Sequence, residues 1–405
     1  MTPKLFTPTQ SVREPRDVIA ALASAPMDRP FSPAAGEFCA DLSRALFRAG
    51  MKDRPEVQAL AYWCRPAELA RLKSGFEQLT SGPASCMPRG TVFHVPPVNV
   101  ETLFLYGWIL SILCGNRNIV RISSRASHLT LELCEMVASV LEKHGALGRI
   151  NLAIQYGHED QLTADISGCC DLRIVWGGDE TVRSLRSVDL PPAARDLCFP
   201  DRYSYSVIRA ATFTASPDDQ KERLAHAFYN DCYWFDQMAC SSPRLIAWCG
   251  TSEDCLKARA EFFDLLAHEV ARRRYTIEPS VRSDKMLFAS RLILDEAVDS
   301  YETYGTELTV LKLSKLSSLD RSHCGGGLLL SVDVPDLRAL AGIVHRRDQT
   351  LTYFGFDRPE MEFFTQGLNG RGIDRIVPIG EALTFNRFWD GYDLLQELTR
   401  RVWVQ

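Results

Sequence analysis

Thr91-Val-Phe-His-Val95, Asn118-Ile-Val-Arg-Ile122, Asn151-Leu-Ala-Ile-Gln155 and Leu172-Arg-Ile-Val-Trp176 are short runs rich in β-branched and aromatic residues. Helical patterns over Glu101 to Leu113 and His128 to His144 separate the first three. Such alternation signals βαβ units feeding a parallel sheet, because each crossover must be long enough to hold a helix. Gly115 and Gly145 stand where helix C-caps are expected. Upstream, Ala35 to Ala49 and Glu56 to Phe76 read as amphipathic helices, followed by a loop over Thr80 to Gly90. Downstream, strands are expected at Tyr205 to Arg209, Arg244 to Trp248, Leu308 to Leu313 and Leu328 to Val332. Helices are expected near Pro217 to Cys232, at Ser252 to Arg274, at Pro335 to Arg346 and near Pro359 to Gln366. The fold class expected is therefore α/β, with two doubly wound domains and a mainly helical N-terminal segment. The divisions expected are 1–204, 205–370 and a C-terminal segment 371–405 that packs back on the core and ends in a helical pattern from Trp389 to Arg400.

The chain has 405 residues, 46% of them hydrophobic, enough for a large core and more than one domain. With 46 basic against 51 acidic residues, no overall field favours nucleic acid as a partner. Thirteen cysteines are scattered without a CxxC pair, which suits a reducing cytoplasm better than a disulfide framework. The apolar run Leu103 to Cys114 is too short to span a bilayer, and Met1 to Pro15 has no apolar core of a signal peptide.

Four segments could carry chemistry. Met238-Ala-Cys-Ser-Ser-Pro243 places Cys240 in a short polar stretch between a helix and a strand, where small neighbours leave access to a nucleophilic thiol. A packed cysteine is the structural alternative. Pro96-Pro-Val-Asn99 ends a strand and opens a helix, so the Asn99 amide could hold an oxyanion or simply cap the helix. In Gly115-Asn-Arg-Asn-Ile-Val-Arg-Ile-Ser-Ser-Arg125, Arg121, Ser123, Ser124 and Arg125 cluster at a strand's carboxyl end, where open α/β sheets bind ligands. A solvated strand exit would look the same. Gly177 and Gly178, in Trp176-Gly-Gly-Asp-Glu-Thr181, would let backbone approach a pyrophosphate at a helix N-terminus, or form an ordinary tight turn. His94 reads as a structural histidine, and His323-Cys324-Gly-Gly-Gly327 lacks the ligand pairs of a zinc site, so no metal is expected.

In order and spacing these segments resemble the aldehyde dehydrogenase superfamily, and more closely its LuxC-type acyl-CoA reductase branch, from about Gly90 to the C-terminus. The resemblance implies that Pro97-Val-Asn99 supplies the oxyanion amide and that Arg121-Ile-Ser123, standing after Gly115-Asn116 in the family's order, holds the cofactor's adenosine ribose. It further implies that Gly177-Gly178 flanks the cofactor, that Cys240 is the nucleophile, and that Glu302, in Glu302-Thr-Tyr-Gly-Thr306, contacts the nicotinamide ribose. Gly372-Ile-Asp-Arg-Ile-Val-Pro-Ile-Gly380 and Trp389-Asp-Gly-Tyr-Asp393 are similar to the LuxC branch in particular.

Two departures bear on chemistry. The superfamily's lysine is Arg121 here, which keeps the charge and changes its geometry. The glutamate that activates hydrolytic water in aldehyde-oxidising members has no counterpart in Leu197-Cys-Phe-Pro-Asp-Arg202. The function implied is reduction of an acyl thioester, an acyl-CoA or acyl-carrier, to the aldehyde through an acyl-Cys240 intermediate. NADPH is the cofactor the resemblance implies, because Ser124 stands where the superfamily often carries a glutamate that excludes a 2′-phosphate and the neighbouring Arg125 could pair with that phosphate, with NADH the alternative. An acyl-activating synthetase partner and a homo-oligomer are further implications. The competing readings are a catalytically silent scaffold subunit and a Cys-dependent acyltransferase.

Overall fold

The computed structural model describes residues 3–6, 14–51, 54–80, 82, 84–98, 100–157, 160–295, 297–403 and 405. Its contacts divide the chain into two units, Met1–Asp201 with Phe385–Gln405, and Arg202–Thr384. Residues 371–405, expected as one segment, divide at Thr384.

In the first unit the strands in chain order are β1 (Lys4–Phe6), β2 (Ala84–Pro88), β3 (Thr91–Val95), β4 (Arg117–Ser123), β5 (Asn151–Tyr156), β6 (Leu172–Trp176) and β7 (Arg195–Phe199). Six of them form one sheet in the order β1-β5-β4-β3-β6-β7, parallel except for the edge strand β1. In the second unit β8 (Tyr203–Arg209), β9 (Pro243–Cys249), β10 (Val298–Tyr304), β11 (Leu308–Leu313), β12 (Leu328–Val334), β13 (Asp348–Phe354) and β14 (Arg375–Pro378) form a sheet in the order β10-β11-β12-β9-β8-β13-β14. Only the edge strand β10 is antiparallel to its neighbour.

Period-two alternation sends successive side chains to opposite faces, so each sheet seeds two cores. On β9, Leu245, Ala247 and Cys249 face one cluster, and Ile246 and Trp248 the other. On β5, Ala153 joins the face covered by helices Pro33–Arg48, Leu103–Leu113 and His128–Glu142. Leu152 and Ile154 join the face covered by Pro15–Ser24, Asp160–Ser167 and Asp179–Arg186. Helices on both faces make each unit a doubly wound α/β layer, as expected from the sequence. The helix Leu103–Leu113 is buried from Phe104 onward because it is apolar all round. Among the described residues, no helix is long and apolar enough to cross a membrane.

Several local expectations are corrected. Thr80 to Gly90 is not all loop: β2 lies within it and pairs antiparallel with a C-terminal strand. That strand is the last of β15 (Phe388–Trp389), β16 (Tyr392–Asp393) and β17 (Thr399–Trp403). The stretch Trp389 to Arg400 is accordingly a hairpin, one short helix (Leu394–Glu397) and a strand. Asp390 and Gly391 adopt φ of 49° and 78°, the left-handed pair that closes a two-residue hairpin. Asn116 pins this segment: its buried amide donates to Leu398 O at 2.9 Å while its oxygen accepts from Gly90 N at 3.1 Å. Aromatic contacts continue the attachment, with Trp389 against Tyr106 and Trp176, and Trp176 stacked on Phe199 at 3.7 Å.

Pro66 splits Glu56 to Phe76 into helices Pro55–Trp63 and Pro66–Thr80, each with proline in its first turn, where the missing N–H costs nothing. Gly115 does follow a helix end, at φ 80°, and a Cβ there would meet Asp28 O at 2.3 Å. Gly145 instead opens the short helix Gly145–Gly148.

One buried ion pair crosses the first sheet. Arg173, with no exposed surface, donates to both carboxylate oxygens of its cross-strand neighbour Asp196, at 2.7 and 2.9 Å, and to Ser167 Oγ and Val188 O. Removing the carboxylate strands the guanidinium in low dielectric. Urea denaturation followed by circular dichroism should show Asp196→Ala losing about 3–5 kcal/mol. A loss below about 1 kcal/mol would rank the pair with surface salt bridges.

Candidate active site

Strands β3, β4 and β6 are parallel neighbours, so their carboxyl ends open on the same edge of the sheet. There the chain turns away in both directions from β3 toward β4 and β6, the arrangement that leaves a crevice. A cleft of about 300 Å³ occupies this position, lined by Val95–Val98 after β3, Arg121 and Ser123–Arg125 at the end of β4, and Trp176–Gly178 with Thr181 after β6. Six residues singled out from the sequence, Arg121, Ser123, Ser124, Arg125, Gly177 and Gly178, thus share one cleft. Asn99 lies outside the described residues.

The Arg121 guanidinium is oriented rather than loose. It donates to Gly157 O at 2.9 Å and lies over the Tyr156 ring at 5.0 Å. Ser123 Oγ accepts from Arg125 N at 3.2 Å, which turns the chain so that the exposed Arg125 side chain stands at the mouth. Gly177 and Gly178 form the opposite wall, where Cβ atoms would come within 3.2 Å of Thr181 and 3.3 Å of Asp201. The helix that follows them, Asp179–Arg186, carries Asp179 and Glu180 in its first turn, and its Asp179 N–H already donates to Asp201 at 3.3 Å. That negative charge leaves the arginine side as the cleft's pole for phosphate. Donors for ribose, a guanidinium pole and an aromatic wall at Trp176 fit part of a nicotinamide dinucleotide. Trp176 escaped sequence reasoning because a tryptophan ending a buried strand reads as core.

Cys240 lies in the second unit, half-buried, between the helix Asp218–Tyr233 and β9, at the amino end of the strand. Its carbonyl accepts from Ser204 Oγ at 2.6 Å, and Ala239 O accepts from Ser242 N at 3.0 Å and from Arg244 Nη2 at 3.3 Å. Ser242 Oγ donates to Asp231 O at 2.7 Å, and the Asp231 carboxylate accepts from Gly380 N and Ala382 N. Upstream, Asp236 and Gln237 both adopt left-handed φ, 50° and 65°, a conformation that costs free energy and persists only when its surroundings enforce it. Enforcement comes from Gln237 Nε2, donating to Pro243 O at 2.9 Å, and from Gly326 N, donating to Asp236 O at 2.9 Å.

Gly326 belongs to the triple-glycine loop of His323 to Gly327, in which Gly325, Gly326 and Gly327 all take positive φ. A Cβ at Gly325 would collide with Asp236 O at 2.6 Å. The buried Lys285 ammonium donates to Gly326 O at 2.7 Å and to Thr306 O at 2.9 Å, and burial lowers its pKa to about 8. It therefore joins the glycine loop to the turn after Glu302. Glu302 itself is exposed on the edge strand β10, with Tyr304 Oη 3.3 Å away.

Other thiols differ from Cys240 in their surroundings. Burial pushes the thiols of Cys39, Cys170 and Cys255 up to about 12 and that of Cys324 to about 11. His94 is a core histidine, 3.0 Å from Asn118 Oδ1, with burial lowering its pKa to about 4. Among the described residues, no group of three His, Cys, Asp or Glu side chains could hold a metal ion. The Leu197 to Arg202 stretch offers one carboxylate, Asp201, and it caps Asp179.

The profile of the acyl-CoA reductase (LuxC) family matches residues 74–401. The chain belongs to this family. A curated relative, long-chain acyl-protein thioester reductase 2 of Photobacterium leiognathi, is 26% identical over 186 residues, which cover 45% of this chain and 36% of the relative. The chain thus matches about a third of that relative's length. Among solved structures, aldehyde dehydrogenase 21 of Physcomitrella patens superposes with a TM-score of 0.68 at 12% identity, covering 95% of this chain and 89% of the other. Escherichia coli lactaldehyde dehydrogenase gives 0.65 at 10% identity, covering 96% and 88%. At those identities the likeness shows the fold, that of the aldehyde dehydrogenase superfamily, and it agrees with the LuxC assignment.

Brief iodoacetamide treatment at neutral pH followed by peptide mapping should label Cys240 before Cys39, Cys170, Cys255 or Cys324. Equal or slower labelling of Cys240 would mark it as one more packed thiol.

Proposed function

We propose that this LuxC-family chain reduces an acyl thioester to the aldehyde with NADPH, by way of an acyl-Cys240 intermediate. The observation that carries the reading is the Cys240 loop: a half-buried thiol whose flanking peptide carbonyls are tied by Ser204 and Arg244 and whose neighbour Ser242 is tied through its hydroxyl to Asp231 O, in a chain whose other thiols are largely packed away. Family membership supplies the reaction class. The name of the Photobacterium relative, a long-chain acyl-protein thioester reductase, favours a long acyl chain on a protein carrier, and the family's description adds coenzyme A as a carrier.

In the first stage the Cys240 thiolate attacks the acyl carbonyl, the carrier C–S bond breaks, and the carrier leaves as its thiolate. The Asn99 amide and the Cys240 N–H hold the oxyanion of the tetrahedral state. A reduced nicotinamide held by Arg121, Ser123 and Glu302 would supply the hydride, and the acyl-enzyme that receives it becomes a thiohemiacetal anion. Collapse of that anion releases the aldehyde and returns Cys240 as thiolate, so no base is needed to activate water. The stretch Leu197 to Arg202 is consistent with this, since its one carboxylate is engaged at a helix start.

On the cofactor side, Arg121 and Ser123 hold the adenosine ribose, Gly177 and Gly178 permit close approach, and Glu302 contacts the nicotinamide ribose. Ser124 and the exposed Arg125 receive the 2′-phosphate, which selects NADPH over NADH. An acyl-activating synthetase would supply the acyl group, and association with a second copy belongs to the same reading.

The test is nicotinamide oxidation with a series of fatty acyl-CoA esters, aldehyde being trapped and weighed. Cys240→Ala should abolish oxidation, and Arg125→Ala should raise the KM for NADPH about tenfold, the loss of roughly one charge-assisted hydrogen bond, with little change for NADH. Aldehyde production that survives Cys240→Ala would overturn the mechanism. Acyl transfer to a second thiol without oxidation would point to an acyltransferase.

A further inference from the structure

The proposed reaction needs Cys240 as a thiolate. Arg244 stands four residues on, at the start of β9, a strand buried throughout its length. Arginine in such a place keeps its charge, because a guanidinium does not give up its proton in a protein. Its side chain folds back along the loop: Nη2 donates to Ala239 O at 3.3 Å, the peptide joining Ala239 to Cys240, and Nη1 donates to Arg202 O at 2.6 Å. The guanidinium carbon lies 5.7 Å from the centre of the Tyr203 ring.

The groups facing Arg244 come from several elements, and the titratable ones are held neutral. Tyr203 of β8 is fully buried, which raises its hydroxyl pKa well above the usual range. Cys232, on the helix Asp218–Tyr233, is raised likewise by burial. His323, in the loop before β12, is lowered to about 3 by burial and by the nearby charges of Arg244 and Arg347. Beyond Tyr203, Arg321 and Asp348 neutralise each other through two hydrogen bonds of 2.5 and 2.8 Å, and Arg202 pairs with Asp374.

We propose that Arg244 is a positioning residue for the nucleophile, fixing the Ala239–Cys240 peptide by hydrogen bond and favouring the Cys240 thiolate by its buried charge. The inference rests on the reading of Cys240 as nucleophile. A buried cation bonded to the peptide next to a thiol favours the thiol's anion, because charges attract strongly in low dielectric, and a neutral partner of the same shape does not. In place of a base that takes the proton, the site would then use a fixed cation that makes the proton easier to lose to water. The cation cannot titrate away at working pH, so the thiol stays primed.

The experiment measures the rate of iodoacetamide alkylation of Cys240 against pH, resolved by peptide mass, on the full chain. In the unaltered protein the midpoint should fall below the ordinary cysteine value of about 8.5. In Arg244→Met it should rise by about one unit, slowing alkylation roughly tenfold at pH 7 while the plateau at high pH is kept. Arg244→Lys should restore most of the shift. A merely structural arginine would change the plateau and leave the midpoint in place. A midpoint at or above about 8.5 in the unaltered protein overturns the proposal even if the methionine variant fails to fold. An unchanged midpoint in a folded Arg244→Met overturns it as well. Failure of the underlying reading looks different: Cys240→Ala would keep making aldehyde whatever the titration of Cys240.

Discussion

Parallel pairing of β3 with both β4 and β6 is the constraint on which the first unit depends. Register places Val92 beside Asn118 and Leu172, and the three strands run the same way to carboxyl ends at Val95, Ser123 and Trp176, so the residues that end or follow each of them converge on one edge. Arg121 and its neighbours reach the cleft because they end β4, and Gly177 with Gly178 because they follow β6. Inside the sheet, polar groups that a parallel core would normally exclude are matched: Asn118 with His94, Asn151 with Trp108, Arg173 with Asp196. The cleft is thus the open end of a layer whose buried amides and ion pair find partners within it.

In the second unit the proposed nucleophile sits at the opposite end of its strand. Cys240 precedes β9, where a nucleophile cannot draw on a strand's carboxyl edge and must be held by what surrounds the loop. The holding groups come from different elements: Ser204 from β8, Asp231 from the preceding helix, Arg244 from β9 itself, and the triple-glycine loop through Asp236. Lys285 extends this support to the turn that follows Glu302. Two consecutive left-handed residues, Asp236 and Gln237, are tolerated at that point because both sides of the loop are pinned.

Much of this was legible in the residues. The β-branched runs from Thr91 to Trp176 read directly as strands, and the cleft residues followed from their place after those strands. What escaped depended on distant partners or on side chains that run against pattern. β2 is Ala-Ser-Cys-Met-Pro, with no strand signal of its own, and exists through pairing with β17, more than three hundred residues away. Leu394-Leu-Gln-Glu-Leu398 has helical propensity, which is spent in a single turn before Thr399 begins the strand. The helix Pro279–Leu294 buries only Lys285, Ala289 and Leu292, too thin a stripe for periodicity to show. Arg244 left a signal that could have been used, a charge inside an apolar strand, since such a residue is rarely buried without a purpose.

The account stands or falls on whether Cys240 carries the acyl group. The most direct measurement is intact and peptide mass spectrometry of the protein incubated with a fatty acyl thioester and no nicotinamide, then given NADPH. The account predicts one acyl adduct, on the Cys240 peptide, that disappears on adding NADPH as free aldehyde appears. An adduct on another residue, or aldehyde formed with no adduct on Cys240, would contradict it.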